Sequence, residues 1–222
     1  MTVTNPAALP TPVTLSARLR AGTQDQHRRA ESTPFITALM GGDLHVEAYT
    51  DLAVQHHALY TALEAGGRAV AGAPGGSIVM PELVRAAAID TDLTHLVGPD
   101  WRDRTRVLPS TTRYVTHLRR VAVTLPGFVA HAYTRYLGDL SGGLAVRAML
   151  RRHYQVPDEA LHFYSFPTVT APKVFKDGYR ARIDSLPLTP LEQDQVVAEA
   201  QVAFDHNTAV FTELGDRHLP RS

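Results

Sequence analysis

Apolar residues recur every three to four positions along nearly the whole chain, and runs that alternate β-branched with polar residues are scarce. The pattern predicts an all-α protein. The stretch "TLSARLRAGTQDQHRRAE" opens at a Thr14 or Ser16 cap and carries Leu15 and Leu19 on one side, so it reads as a first helix. Helical periodicity then covers roughly 45–71 and 79–96, with "GAPGGS" as the loop between them. Residues 101–109 are arginine-rich and have no period. A helix follows from Ser110 to about Leu125, and after Pro126 a long one runs to about Tyr154. Two more, over roughly 170–186 and 189–214, are divided near Pro187 and Pro190. No internal repeat and no long linker splits the chain. The expected layout is a disordered leader over 1–13, one multi-helical domain over 14–215 and a flexible tail over 216–222.

The long helix contains an anomaly. "YLGDLSGG", from Tyr136 to Gly143, places three glycines in a helix interior, each costing about 1 kcal/mol relative to alanine. At about 100° per residue, Leu137, Leu140, Leu144 and Ala148 fall on one arc, while Gly138, Gly142, Gly143 and Asp139 fall on the opposite one. Glycines gathered away from the packing face let a large flat group approach the backbone, or let another helix cross closely. Asp139 favours the first option, because a carboxylate is a poor choice for a dry helix crossing.

Composition narrows what such a group is. The chain has 222 residues, 22 basic against 22 acidic, and 44% hydrophobic, as expected of one globular domain. The neutral balance argues against a nucleic-acid partner. No run approaches the roughly 20 apolar residues of a membrane span, and "MTVTNPAALPTPV" lacks the basic and apolar regions of a signal peptide, so a cytoplasmic protein with no membrane anchor is expected. Without cysteine, thiolate metal sites and cysteine nucleophiles are excluded.

Eleven histidines are the one compositional excess. His27 shares a helix face with Arg20, two turns earlier, and Glu31, one turn later, with Thr23 and Gln24 beside them. A neutral imidazole binds a metal through one ring nitrogen while the other is oriented by a carboxylate, and an arginine nearby suits an anionic group on the same ligand. By contrast His45, His95, His117, His153, His206 and His218 have no partner at ligand spacing, and the adjacent His56 and His57 point to different faces. In "APKVFKDGYRARIDSL", Phe175, Tyr179, Ile183 and Leu186 form an apolar stripe. Lys173, Lys176 and Arg180 line another face, either as a solvated basic row or as an anion clamp.

These segments carry a family resemblance. "HAYTRYLGDLSGG", His131 to Gly143, resembles the signature of the haem oxygenase family, and "TQDQHRRAE", Thr23 to Glu31, resembles that family's proximal-histidine segment. "PELVRAAAIDTDL", "FKDGYRARIDSL" and "AEAQVAFDHNTAVFTEL" are similar in the same order, so the likeness spans roughly Thr14 to Leu214. It implies a soluble, bacterial-type haem oxygenase. The enzyme would hold haem b, both substrate and cofactor, between a proximal helix and a glycine-bearing distal one. It would open the ring at a meso carbon to give biliverdin, carbon monoxide and ferrous iron, using O2 and external electrons.

The resemblance also implies roles. His27 matches the axial iron ligand, and Glu31 the residue that supports it. Gly138, Gly142 and Gly143 match the distal helix over the haem. Asp139 matches the carboxylate that organises distal water, and Tyr60 and Arg135 match members of its hydrogen-bond network. Arg20, Tyr133, Lys176 and Arg180 match positions that hold the haem propionates, with Arg20 standing where lysine is commoner in the family. The implied electron donor is a ferredoxin with its reductase or a flavoprotein reductase, for which Arg113, Arg119, Arg120, Arg147, Arg151 and Arg152 offer a basic docking surface. A non-catalytic haem carrier would use the same axial histidine but gives no reason for Asp139. A di-iron oxidase would need two Glu-x-x-His motifs, and the chain has one, Glu159 to His162.

Overall fold

In the computed structural model, which describes residues 13–220, every regular element is helical. The leader expected over 1–13 lies, apart from Val13, outside the described residues. Thr14 caps α1 (Leu15–Gly22) by accepting from the Ala17 amide. The first helix does not run on as the periodicity suggests. It stops at Thr23, whose buried hydroxyl turns back onto the Leu19 carbonyl at 2.8 Å, and α2 (Gln24–Glu31) begins immediately after. Self-satisfaction of this kind is why threonine interrupts helices readily.

A short helix, α3 (Pro34–Gly41), has Pro34 in its first turn and ends at Gly42 in the left-handed region (φ 81°), and the sequence periodicity missed it. The 25-residue α4 (Val46–Val70) follows. Gly66 on α4 sits so close to the chain at Ala122 that a Cβ there would come within 2.7 Å of the Ala122 carbonyl oxygen.

The helix expected over 79–96 is shorter than its pattern. Residues Pro81–Leu83 form a 3-10 turn, and α5 starts only at Ala86 (Ala86–Val97). Glu64 of α4 decides the start, because its Oε1 accepts from the Arg85 and Ala86 amides at 2.6 and 2.9 Å. A carboxylate on free amides at a helix N-terminus is favourable, and here it arrives from another helix. The arginine-rich stretch holds one turn, α6 (Trp101–Arg104).

α7 (Pro109–Val121) leads to the 30-residue α8 (Leu125–Tyr154), capped by the Thr124 hydroxyl. α9 (Pro172–Asp184) and α10 (Pro190–His218) complete the fold, the last opening with a reciprocal Thr189–Glu192 capping box. α10 continues past 215. His218 and Arg217 reach Asp51 of α4 at 2.8 and 3.0 Å, so 216–218 are helix and not flexible tail.

α8 packs along α10 and against α4. α1 and α2 lie on α10, and α9 bridges α1 and α8. Ser16 on α1 fastens α9 by donating from its amide and hydroxyl to Asp184 at 2.7 and 2.8 Å. Leu19, Phe35, Tyr49, Leu63, Tyr114, Phe128 and Tyr179 are buried to near completion in one core. Burying a large apolar side chain stabilises by roughly 1.5–3 kcal/mol, so packing, not helix propensity, holds these helices in place.

Candidate haem site

Gly138 and Gly142 face open space: a Cβ built on either would meet nothing within 4 Å. Gly143 differs. It is buried, and its Cβ would press on the Tyr164 ring at 3.3 Å, so the three glycines do not share one bare face. The opposite arc also breaks up, because Leu137 and Leu140 are buried while Leu144 is 68% exposed and Ala148 lies at the surface. α8 has different neighbours along its length, so a single wheel does not sort its inside from its outside.

Behind the open glycines a polar chain crosses three helices. Asn207 on α10 accepts from Arg135 Nη1 at 2.9 Å, and Arg135 Nε donates to the Tyr60 hydroxyl at 3.3 Å. Tyr60 in turn donates to Asp139 Oδ2. Because Arg135 occupies the acceptor side of the Tyr60 oxygen, the phenol proton is committed to Asp139. Burial raises the Asp139 carboxyl to about pKa 6, although Arg135, the Tyr60 hydrogen bond and Arg85 all favour its ionised form. Burial likewise drives Tyr60 well above the usual phenol range, so it stays a donor. Burial opposes the charge of Arg135, but Tyr60, Asp139 and Tyr114 hold its pKa above the ordinary guanidinium value.

Asn207 and Arg85 were not among the residues the sequence singled out. Arg85 is itself buried. Its guanidinium donates to the Ser165 carbonyl at 2.6 Å and lies over the Phe166 ring at 4.1 Å. Nothing local marks either residue, since both gain their place through contacts between distant segments.

On α2, His27 Nδ1 lies 3.2 Å from Glu31 Oε2, as the one-turn spacing suggests. Its side chain is 48% exposed. The ring is held edge-on by Phe204 of α10, centroids 5.4 Å apart, another contact the sequence did not reveal. Nε2 makes no hydrogen bond among the described residues. A half-exposed imidazole, oriented through one nitrogen and open at the other, is a ready metal ligand.

The basic residues converge in part. Burial raises Tyr133 above the usual phenol range, while the Thr23 side chain and the Arg180 and Arg20 charges act in the opposite direction. Arg20 is exposed and forms no ion pair among the described residues. Arg180 is shared with Asp177 at 2.9 Å, and Lys176 Nζ reaches the Ser141 hydroxyl of α8 at 3.3 Å. Lys173 is at the surface. The arginines expected to form a docking surface are split: Arg147 and Arg151 pair with Asp158 at 3.0 and 3.5 Å, and Arg120 donates to His117.

An open glycine face, a half-exposed imidazole and several basic side chains suit a flat dianionic metal complex such as haem. Comparison with known proteins agrees. The family model described as heme oxygenase matches residues 13–213. Heme oxygenase 1 of the cyanobacterium Synechocystis is 34% identical over 204 residues, covering 91% of this chain and 85% of that protein. A heme oxygenase of the fish Takifugu rubripes is 37% identical, covering 90% of this chain and 74% of its own length. The crystal structure of the Synechocystis heme oxygenase-1 in complex with heme superposes with a TM-score of 0.88 at 33% identity, over 92% of this chain and 94% of that one. The heme oxygenase of Leptospira interrogans gives 0.84 at 32% identity, over 90% and 99%. One sequence register and one helical arrangement therefore run through nearly the whole length, and the chain belongs to the haem oxygenase family.

Proposed function

We propose that this protein degrades haem with His27 as the axial ligand of the iron and Asp139 as the residue that manages protons on the opposite face. The haem supplies both the iron at which O2 is reduced and the ring that is oxidised to biliverdin, with release of carbon monoxide and ferrous iron. Everything else is the task of the protein. His27 offers Nε2 to the iron while Glu31 fixes the ring through Nδ1 and Phe204 limits its rotation. Gly138 and Gly142 leave room for the ring plane against the α8 backbone. Arg20, Tyr133, Lys176 and Arg180 take the propionates, and charge-assisted contacts of this kind fix orientation as well as affinity.

The observation that carries this reading is the chain from Arg135 through Tyr60 to Asp139 directly behind the open glycines. With Oδ2 held by Tyr60, Oδ1 is left to accept or return a proton on the haem side. A carboxyl near pKa 6 does both at neutral pH. A carrier has no use for such a group. External electrons come from an acidic redox protein, either a ferredoxin or a flavoprotein, docking on Arg113, Arg119 and Arg152, which form no ion pair among the described residues. The reading places the protein in the cytoplasm; no helix among the described residues is long and apolar enough to cross a membrane.

The test is direct. Hemin is added to the purified protein, and ascorbate is then supplied in air. Decay of the Soret band into bilin absorbance is the expected result, whereas a Soret band that persists would identify a carrier.

A further inference from the structure

A second cluster of titratable side chains has no part in the haem site described above. His117 on α7, His131 on α8 and Glu199 on α10 meet with their ligating atoms all within 4.8 Å of one another. Glu199 Oε1 accepts from Nε2 of both imidazoles, at 2.5 Å from His117 and 2.9 Å from His131. His131 is fully buried, and the Tyr114 hydroxyl holds its Nδ1 at 3.0 Å. His206, two turns beyond Glu199 on α10, stacks on Tyr114 with centroids 4.6 Å apart and stands 5.0 Å from the His117 ring.

We propose that His117, His131 and Glu199 form a binding site for a divalent transition-metal ion of the zinc or iron(II) class. Two imidazole nitrogens and one carboxylate oxygen, delivered by three different helices, are the donor set those ions take, with further positions left for water. Bonds of about 2.0–2.2 Å at tetrahedral angles set donor atoms roughly 3.3 Å apart. The two spacings to Glu199, 2.5 and 2.9 Å, need to open by under about 1 Å, and the widest spacing in the cluster, within 4.8 Å, needs to close by up to about 1.5 Å.

The protons balance. In the metal-free cluster each Nε2–H points at Glu199. When the ion enters, each imidazole carries its proton on Nδ1 instead, and the two Nε2 lone pairs turn to the metal with no net proton lost. At His131 the new Nδ1–H finds Tyr114, whose hydroxyl changes from donor to acceptor and becomes the outer partner that orients a metal-bound histidine. At His117 the outcome is opposite. Nδ1 now accepts from Arg120 Nη2 at 3.2 Å, so after the switch two donors face each other and Arg120 must swing into solvent, where it is already exposed. Arg120 therefore competes with the ion. Bound, the metal would pin α7 and α10 to α8 one helical turn before Arg135.

The experiment uses the full chain, with and without hemin, titrated with ZnCl2 by calorimetry and with Co2+ by visible absorption. One ion per chain, a raised melting temperature and visible Co2+ bands are expected. His117→Gln and Glu199→Gln, each checked by circular dichroism for an intact fold, are expected to weaken binding by about tenfold or more. Arg120→Ala is expected to tighten it. His27→Ala is expected to leave the Zn2+ affinity unchanged, which separates this site from the exposed imidazole of the haem cleft. No Zn2+ uptake by the folded parent, uptake that survives both glutamine variants, or weaker uptake by Arg120→Ala would each overturn the proposal.

Discussion

Tyr60 on α4 donates its phenol proton to Asp139 on α8, seventy-nine positions later in the chain. Asp139 lies beside Gly138 and one turn before Gly142 on α8, both of which face open space, and Arg135 fixes the direction of the bond through the Tyr60 oxygen. It makes Asp139 the pivot of the site. Asp139→Ala is expected to bind hemin with nearly the parent affinity, keep the His27 ligation and lose bilin formation by about 10²-fold or more, the usual worth of a positioned acid or base. Ascorbate-driven turnover checks this, and biliverdin at the parent rate would reduce Asp139 to a solvated carboxylate.

The same residue predicts a pH dependence of stability. The folded carboxyl titrates at about 6 and the unfolded one at 3.8, so between these values the folded state holds more protons and stability falls as the pH rises. Asp139→Asn removes this contribution. In urea unfolding of the haem-free protein, the variant is expected to gain about 1–3 kcal/mol over the parent between about pH 4 and pH 7. A difference that does not change with pH would mean that Asp139 ionises like an exposed aspartate.

His27→Ala is expected to admit hemin, because the cradle and the cations remain, but to lose the axial imidazole signature and turnover. Added imidazole is expected to restore part of both by occupying the vacated position. Resonance Raman or EPR of the hemin complex reads the ligand, and an unchanged spectrum would assign the iron to another histidine.

The open glycines and the buried one separate in a substitution series. Gly138→Ala and Gly142→Ala place a methyl where nothing lies within 4 Å, so the haem-free fold is expected to gain up to about 1 kcal/mol from helix propensity while hemin binding weakens. Gly143→Ala meets the Tyr164 ring at 3.3 Å and is expected to gain less or to lose stability. Thermal melts with and without hemin distinguish these outcomes. An open-face variant that binds hemin normally would place the ring elsewhere.

Replacing Lys176 and Arg180 together by glutamate is expected to weaken hemin binding and change the biliverdin isomer ratio, since each charge-assisted contact is worth about 1.5–3 kcal/mol and sets the in-plane orientation. Chromatography of the product isomers decides it. An unaltered ratio with unaltered affinity would return the row to an ordinary solvated face, a role its Asp177 partner already suits.

What the sequence determined by itself is whatever depends on spacing within a helix. The all-α class and the His27–Glu31 pair one turn apart follow from a repeat of about 3.6 residues and are present in the structure, and of the two caps offered for the first helix, Thr14 or Ser16, Thr14 is the one used. The block from His131 to Gly143 added the family, because so many exact positions rarely coincide by chance. Tertiary structure decided the rest. Glu64 set the start of α5, Phe204 settled against His27, and Asn207 completed the chain behind Asp139. His117 and His206, which had no partner at ligand spacing, gained theirs when α7, α8 and α10 came together. The physical reason is one of range. Periodicity fixes which residues share a face of one helix, but which faces meet, and in what register, depends on how side chains from several helices fill a common interior.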